Sequence, residues 1–437
     1  MAILLGNENL NVIEEVVLTS SQTYTARRTG VADVVCIGGG GQGGSCGKDG
    51  TTIILNCTGG GAGGYSRKRI PITTGDTFTV VVGAGGQADA GKLPADSALE
   101  AGGAGGESTF DHASATATIA LDSNGGVGGI CNQTTTASGA TYAGGAGGSA
   151  TGGDVNFTGG RGGTVTRSNN SANAGCFTTG GGAVAIFGSA FNGGDINFTS
   201  SGETIAATGG AGIGGNGGNT AYDTGSGASY VATGGGSASG EGNGLTAAQS
   251  NAAGNNSISC FAKTDVVLGG GRLPSHGGQG RFGNDARILA GNGGTGALAA
   301  ILAGLGDATF QSVFGGNERP VETVDTAATD LGLVGNTVYP GATGPGGGGG
   351  AAGGYAANNG SNSVLAAGNG APFAGGGSMN ALVGSDIVNT SELITSSGRG
   401  GIAGGGSGGF RTGGNAVNAT VEWASGGDGV VIIQYLG

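Results

Sequence analysis

Of the 437 residues in this chain, 110 are Gly, so about one position in four has no side chain, against ~7% in ordinary proteins. Glycine loses more backbone entropy on ordering than any other residue, so such a chain folds only if backbone hydrogen bonds and close backbone packing compensate. Aromatic residues make up 5% and charged residues 10%. The first figure is too low for a conventional side-chain core, and the second is too low for a solvated disordered tail. Val, Ile, Leu, Phe, Tyr and Ala are scattered through the Gly runs, and a flexible linker would carry Ser, Glu and Lys there instead. The chain therefore reads as ordered, with its main chain as the principal packing material.

The two ends of the chain follow β grammar. Residues 12–19 and 31–37 are short β-branched runs, and residues 70–72 and 77–82 continue the pattern around Thr74-Gly75-Asp76. Near the C-terminus, residues 420–423 precede a Gly426-Gly427-Asp428 turn and the continuous apolar run Val430-Val431-Ile432-Ile433. An unbroken apolar run of that length suits a strand buried on both faces. The expectation is an all-β protein: a small β-sandwich of N- and C-terminal strands, with a long Gly-rich insertion packed as polyglycine II helices and short strands. The domains expected are an N-terminal attachment segment at 1–30, a sandwich at 31–125 completed by 419–437, and a Gly-rich scaffold at 126–418. Residues 286–339 form a less Gly-rich insert in that scaffold, and Ala297-Leu298-Ala299-Ala300-Ile301-Leu302-Ala303 is its helix candidate.

The scaffold lacks a strict G-X-Y period and the whole chain has only 7 Pro, which excludes collagen. Polyglycine II, like polyproline II, has about 3 residues per turn and ~3.1 Å rise with no internal hydrogen bonds. Helices of this kind packed side by side can satisfy one another's N–H and C=O groups. One internal repeat stands out. Gly152-Gly153-Asp154-Val155-Asn156-Phe157-Thr158 recurs as Gly193-Gly194-Asp195-Ile196-Asn197-Phe198-Thr199, which predicts stacked, equivalent strands with Phe anchors on one face.

Several patterns imitate chemical sites. Gly38-Gly39-Gly40-Gly41-Gln42-Gly43 follows a strand and matches a dinucleotide fingerprint, but Gly44-Ser45-Cys46-Gly47-Lys48-Asp49-Gly50 cannot begin the helix that would hold a pyrophosphate. Gly86-Gln87-Ala88-Asp89-Ala90-Gly91-Lys92 has P-loop spacing, but Leu93 supplies no magnesium ligand and Pro94 blocks the helix start. His112 beside Asp111, and His276 beside Ser275, are the only imidazoles, and they read as ordinary strand and turn residues. The cysteines Cys36, Cys46, Cys57, Cys131, Cys176 and Cys260 show no CxxC spacing, so no zinc site is expected. They read as small buried thiols, with one disulfide among Cys36, Cys46 and Cys57 as the alternative. No catalytic, cofactor-binding or metal-binding residue is assigned and no cofactor is expected. The binding residues are unknown.

The net charge of −12 argues against nucleic acid as a partner. The basic cluster Arg67-Lys68-Arg69 reads as the solvated face of a strand. The opening Met1-Ala2-Ile3-Leu4-Leu5-Gly6 has no basic segment and too short an apolar run for a secretory signal, so synthesis inside the cell is expected. No 18-residue apolar stretch predicts membrane insertion.

Three segments in this order resemble the glycine-rich domain family of bacteriophage tail proteins. They are Val31-Ala32-Asp33-Val34-Val35-Cys36-Ile37 running into Gly38–Gly41, then Gly60-Gly61-Ala62-Gly63-Gly64-Tyr65 leading through Ile70-Pro71-Ile72 to Gly83-Ala84-Gly85-Gly86, and the closing Gly426-Gly427-Asp428-Gly429-Val430-Val431-Ile432-Ile433-Gln434-Tyr435. The resemblance covers both ends of the chain, and the middle only in style. It implies a non-enzymatic structural protein of the virion, made in the host cytoplasm: a tail fibre or adhesin displaying host-binding loops on a rigid scaffold. Its partners would be other virion proteins and a bacterial surface receptor, with a homo-oligomer (trimer) allowed for. A capsid-surface decoration or head-fibre protein is the alternative. An ice-binding or extracellular matrix glycine-rich protein is a further one, and a polysaccharide depolymerase ranks last.

Overall fold

The computed structural model describes residues 12–48, 54–87, 99–113, 118–134, 139–167, 175–186, 188, 190–198, 204–222, 229–233, 235–236, 267–268, 271–272, 281–283, 287–289, 348–349, 352–356, 363–383, 393–412, 419–422 and 424–437. Among these every regular element is a strand, so the described structure is all-β. The helix expected at residues 297–303 lies outside the described residues, as does most of the 286–339 insert.

The two ends of the chain meet. Val430–Leu436 pairs antiparallel with Val12–Leu18 on one side and with Gly30–Ile37 on the other. Tyr65–Ile72 and Val155–Phe157 complete this five-stranded sheet, here called sheet A. A second antiparallel sheet, B, runs in the order Ala150–Thr151, Thr118–Ser123, Ser108–Ala113, Thr77–Val81, Gln22–Thr25. Alternate residues of the two sheets fill one core: Val34, Cys36, Val431 and Ile433 from A meet Phe78, Phe110 and Leu121 from B. Each such side chain contributes about 1.5–3 kcal/mol by leaving water. The hydroxyls of Tyr24 and Tyr435, 2.9 Å apart, satisfy each other inside this layer. Val430 and Ile432 point the other way into a second cluster, so the closing strand is buried on both faces, as its unbroken apolar run predicts. Val12–Leu18 and Gln22–Thr25, from the segment expected to serve attachment, are edge strands of A and B, and residues 1–11 lie outside the described residues.

Beyond the ends of these sheets the glycine segments bond to one another with a step of three residues. The amides of Gly38, Gly41 and Gly44 donate to Gly64, Gly61 and Thr58; those of Gly39 and Gln42 donate to Gly106 and Gly103; those of Gly40 and Gly43 donate to Gly427 and Ala424. The carbonyls of the same segment accept from three further segments: Gly126 and Gly129, Gly86, and Gly406 and Gly409. Residues 38–44 are thus surrounded by six segments, and all seven of their amides and five of their carbonyls are engaged without any ladder of paired strands. Contact this close is possible only where Cβ is absent. A Cβ on Gly40 would lie 1.9 Å from the Gly404 carbonyl oxygen, and one on Gly43 would lie 1.9 Å from that of Ser407.

Side chains appear where a segment reaches the surface. Ala101, Ala104 and Glu107 are exposed, as are Asn124, Val127 and Ile130, and Ala143, Ala146 and Ser149, with buried or half-buried glycine pairs between them. These segments are bonded side by side through Gly105 to Gly126 and Val127 to Ala146, so their outward positions form parallel rows. Where the glycine segments turn back, Val184, Ile186, Ile213 and Phe373 pack with Ile37, Val430 and Ile432 on the outer face of sheet A. Phe373 makes its turn at a φ of 68°, a strained value for a residue with a side chain.

The two copies of the internal repeat do not stack on each other. Val155–Phe157 joins sheet A against Tyr65–Ile72, whereas Ile196–Phe198 lies parallel between Val165–Arg167 and Thr220–Tyr222 in a different sheet. The shared sequence fixes an extended shape and its alternation of faces, and it leaves the partner strand open. Phe157 therefore stacks on Tyr65 at 5.8 Å, and Phe198 meets Phe177 at 5.1 Å.

Gly40→Ala is expected to destabilise the protein by about 4 kcal/mol or more, the range of severe core mutations. Gly30→Ala, whose Cβ meets nothing within 4 Å, is expected to stay within about 0.5 kcal/mol. Urea denaturation of the two variants checks this, and equal effects would contradict the backbone contacts described.

Candidate interaction surface

At the ends of the glycine segments remote from sheets A and B lie sheets built mostly of parallel strands. Arg281–Gly283, Ala352–Ala356, Met379–Val383, Gly409–Thr412 and Ser45–Lys48 run parallel in that order, with Leu99–Glu100 antiparallel at the edge. Ile54–Cys57, Gly175–Thr178, Thr204–Ala207 and Ser229–Ala232 are parallel to one another, with Cys131–Thr134 antiparallel. Two more sheets hold the partner strands, one running from Thr141–Tyr142 to Thr220–Tyr222 and the other from Arg287–Leu289 to Ala419–Glu422.

This registry gives the molecule a direction. Ser45–Lys48 leads away from the glycine segments and Ile54–Cys57 returns to them, and every strand parallel to one of these shares its sense. The outgoing strands therefore end, and the returning strands begin, at one common end; the sequence that joins them, residues 49–53, 168–174, 199–203, 223–228, 357–362, 384–392 and 413–418, lies outside the described residues. In sequence these crossings are mostly Asn, Ser, Thr, Gly and Asp, and none contains Lys or Arg. Hydroxyl and carboxamide groups both donate and accept hydrogen bonds, which suits adaptable polar contact.

The residues singled out in the sequence lie elsewhere. The amides of Gly38–Gly43, which a phosphate would need, donate to carbonyls of neighbouring segments. Residues 88–98, with most of the P-loop-like stretch, and His276 with Ser275 lie outside the described residues. His112 is half-buried in sheet B with its ring 4.8 Å from that of Phe78. Asp111 accepts a hydrogen bond from Thr109 at 3.2 Å. Cys36 and Cys46 are buried thiols, and burial pushes the Cys36 thiol far up. Cys57 is instead disulfide-bonded to Cys131, its direct partner across paired strands. That bridge spans 74 residues of sequence, so the nearness of Cys36, Cys46 and Cys57 along the chain gave no sign of it. Among the described residues no group of three or more His, Cys, Asp or Glu gathers, and no helix is long and apolar enough to cross a membrane.

The basic cluster lies in a strand with Arg69 exposed and Arg67 and Lys68 half-buried, and its side chains are partnered as well as solvated. Arg67 and Arg69 both bond the buried carboxylate of Asp33, Arg69 through Nε at 2.9 Å and Nη2 at 3.2 Å, and Lys68 donates to the Gly152 carbonyl at 3.0 Å. Register decides this, because Asp33 stands directly opposite Arg69. Burial alone would raise the Asp33 carboxyl, but the hydrogen bonds and charges of Arg69 and Arg67 outweigh it and hold the group below its ordinary range.

No protein-family model matches the chain, and no curated protein matches it.

A carboxylate depressed on folding stabilises the fold above its unfolded pKa, and that contribution is lost as pH falls through the folded value. Asp33→Asn is expected to cost roughly 3 kcal/mol at neutral pH, with the gap to wild type closing as pH drops below 3.8. Urea midpoints measured from neutral to acid pH test this, and a gap independent of pH would count against the ion pair.

Proposed function

We propose that this chain is a non-enzymatic structural protein of a bacteriophage particle, a tail fibre or adhesin that presents host-binding crossings on a rigid glycine scaffold. What supports the reading is that the outgoing strands end and the returning strands begin at one common end, away from the paired terminal strands, and that the sequence joining them is polar. A binding surface of exposed segments held by a rigid scaffold is the usual arrangement for recognition. On this reading sheets A and B are a β-sandwich and the glycine segments are polyglycine II helices. The three-residue hydrogen-bond step supports the second assignment, and the shared core supports the first.

The sandwich end, to which residues 1–30 contribute edge strands, is the end that joins other virion proteins, as one copy or as a homotrimer. The crossings meet a bacterial surface receptor. The Cys57–Cys131 bridge fits a particle that works outside the reducing cytoplasm in which it is made. Glu107, Arg161 and Asp195 interrupt the outward rows of the glycine segments, which weighs against the regular uncharged face an ice-binding protein needs.

Replacing residues 168–174 or 384–392 with Gly-Ser of equal length is expected to abolish adhesion of the labelled protein to host bacteria while leaving the melting temperature unchanged. Adhesion that survives all such replacements, or absence of the chain from purified particles by mass spectrometry, would overturn the proposal.

A further inference from the structure

Four threonines stand where returning strands run into glycine segments: Thr58 after Ile54–Cys57, Thr179 after Gly175–Thr178, Thr208 after Thr204–Ala207 and Thr233 after Ser229–Ala232. All four are buried, and each makes the same pair of side-chain bonds. The Thr179 hydroxyl accepts the Gly59 amide at 2.9 Å and donates to the Gly163 carbonyl at 2.7 Å. That of Thr208 accepts the Gly180 amide at 3.3 Å and donates to the Gly194 carbonyl at 2.6 Å. That of Thr233 accepts the Gly209 amide at 3.1 Å and donates to the Gly218 carbonyl at 2.5 Å. Thr58, at the head of the series, accepts the Ile130 amide at 2.9 Å and donates to the Ala143 carbonyl at 3.2 Å.

The series is a succession of single steps. The amide that each of the last three accepts belongs to the residue following the threonine before it: Gly59 follows Thr58, Gly180 follows Thr179, and Gly209 follows Thr208. The backbone repeats the step, with the amides of Thr179, Thr208 and Thr233 donating to the carbonyls of Cys57, Thr178 and Ala207. Glycine makes room for the threonines, since a Cβ on Gly163 would lie 2.7 Å from that of Thr179, and one on Gly194 would lie 2.8 Å from that of Thr208. A strand repeats every two residues and a glycine segment every three, so backbone groups fall out of register at the joint between them. A hydroxyl accepts and donates at once, and each one here meets an amide and a carbonyl that a methyl group would leave unpaired.

We infer that this threonine column is a register device that sets the returning strands one upon another in sequence order, so that their sheet opens from its last strand. One side of the sheet is anchored, because Ile54–Cys57 is tied to Cys131–Thr134 by antiparallel pairing and by the Cys57–Cys131 bridge. Ser229–Ala232 stands at the other edge and pairs within the sheet with Thr204–Ala207 alone. In a stack of like units each is held by its neighbours, so the loss of an inner unit releases those beyond it, while the loss of the outermost releases nothing else. The order of opening from the free edge is therefore Ser229–Ala232, then Thr204–Ala207, then Gly175–Thr178. The column acts in this way whatever the far end of the molecule contacts.

The test is residue-resolved amide exchange on the full chain under native conditions. In the wild type, protection is expected to fall from Ile54–Cys57 through Gly175–Thr178 and Thr204–Ala207 to Ser229–Ala232; equal protection, or the reverse order, would overturn the inference. Thr179→Val keeps the side-chain shape and removes the hydroxyl. It is expected to speed exchange about tenfold or more at Gly59 and in the two later strands, and to leave Ile54–Cys57 as protected as before. Thr179→Ser, which retains the hydroxyl, should keep Gly59 protected. Thr233→Val is expected to speed exchange at Gly209 and in Ser229–Ala232 only. If Thr179→Val does not fold, Thr233→Val and the wild-type order decide the question. The inference fails if Thr233→Val loosens Gly175–Thr178 as much as its own strand, or if Thr179→Val leaves the later strands untouched.

Discussion

A buried amide or carbonyl without a partner costs about 1–3 kcal/mol, and the interior of this protein is largely amide and carbonyl. The structure depends on how that demand is met. Helices and sheets satisfy backbone groups within one element or between paired strands. Residues 38–44 instead distribute their donors and acceptors over six neighbouring segments, returning to the same neighbour every third residue. Segments bonded in this way also approach unbonded neighbours within a distance that a methyl group would fill, as at Gly40 and Gly404. The glycine content is therefore a packing requirement, and the entropy lost in ordering it is opposed by a dense, mutually satisfied main chain.

The two apolar clusters have a definite place in this scheme. One joins sheets A and B through residues such as Phe78 and Ile433, and the other pins the turns of the glycine segments to the outer face of sheet A through Val184, Ile213 and Phe373. Side-chain cores anchor one end of the scaffold and a smaller one around Phe177 and Phe198 lies toward the other. Main-chain bonding carries the span between them. Such a body holds strand ends in fixed positions with little charge and few large side chains, which is what a display scaffold requires.

Much of this was legible in the sequence because local pattern determined it. The β-branched run at residues 31–37 and the unbroken run at residues 430–433 placed the terminal strands, and the closing strand is buried on both faces as that run requires. The surface rows of the glycine layer were not read in the sequence: the steps of three at Asn124, Val127 and Ile130 take on meaning only from the burial of the glycine pairs between them. What the sequence hid was pairing at long range. The repeat at Asp154 and Asp195 joins two different sheets, Cys57 finds Cys131, and Asp33 recruits Arg67 and Arg69, because register between distant strands decides each partner. The common end of the outgoing strands was hidden for the same reason, since it emerges only once the parallel order of the strands is known.

The most direct test of the main-chain account is residue-resolved amide hydrogen exchange across Gly38–Gly44, compared with the strands Gly30–Ile37 and Val430–Leu436. The account predicts that the glycine amides exchange as slowly as those strands and open only with global unfolding. Exchange of the glycine amides at random-coil rates while the flanking strands stay protected would contradict it.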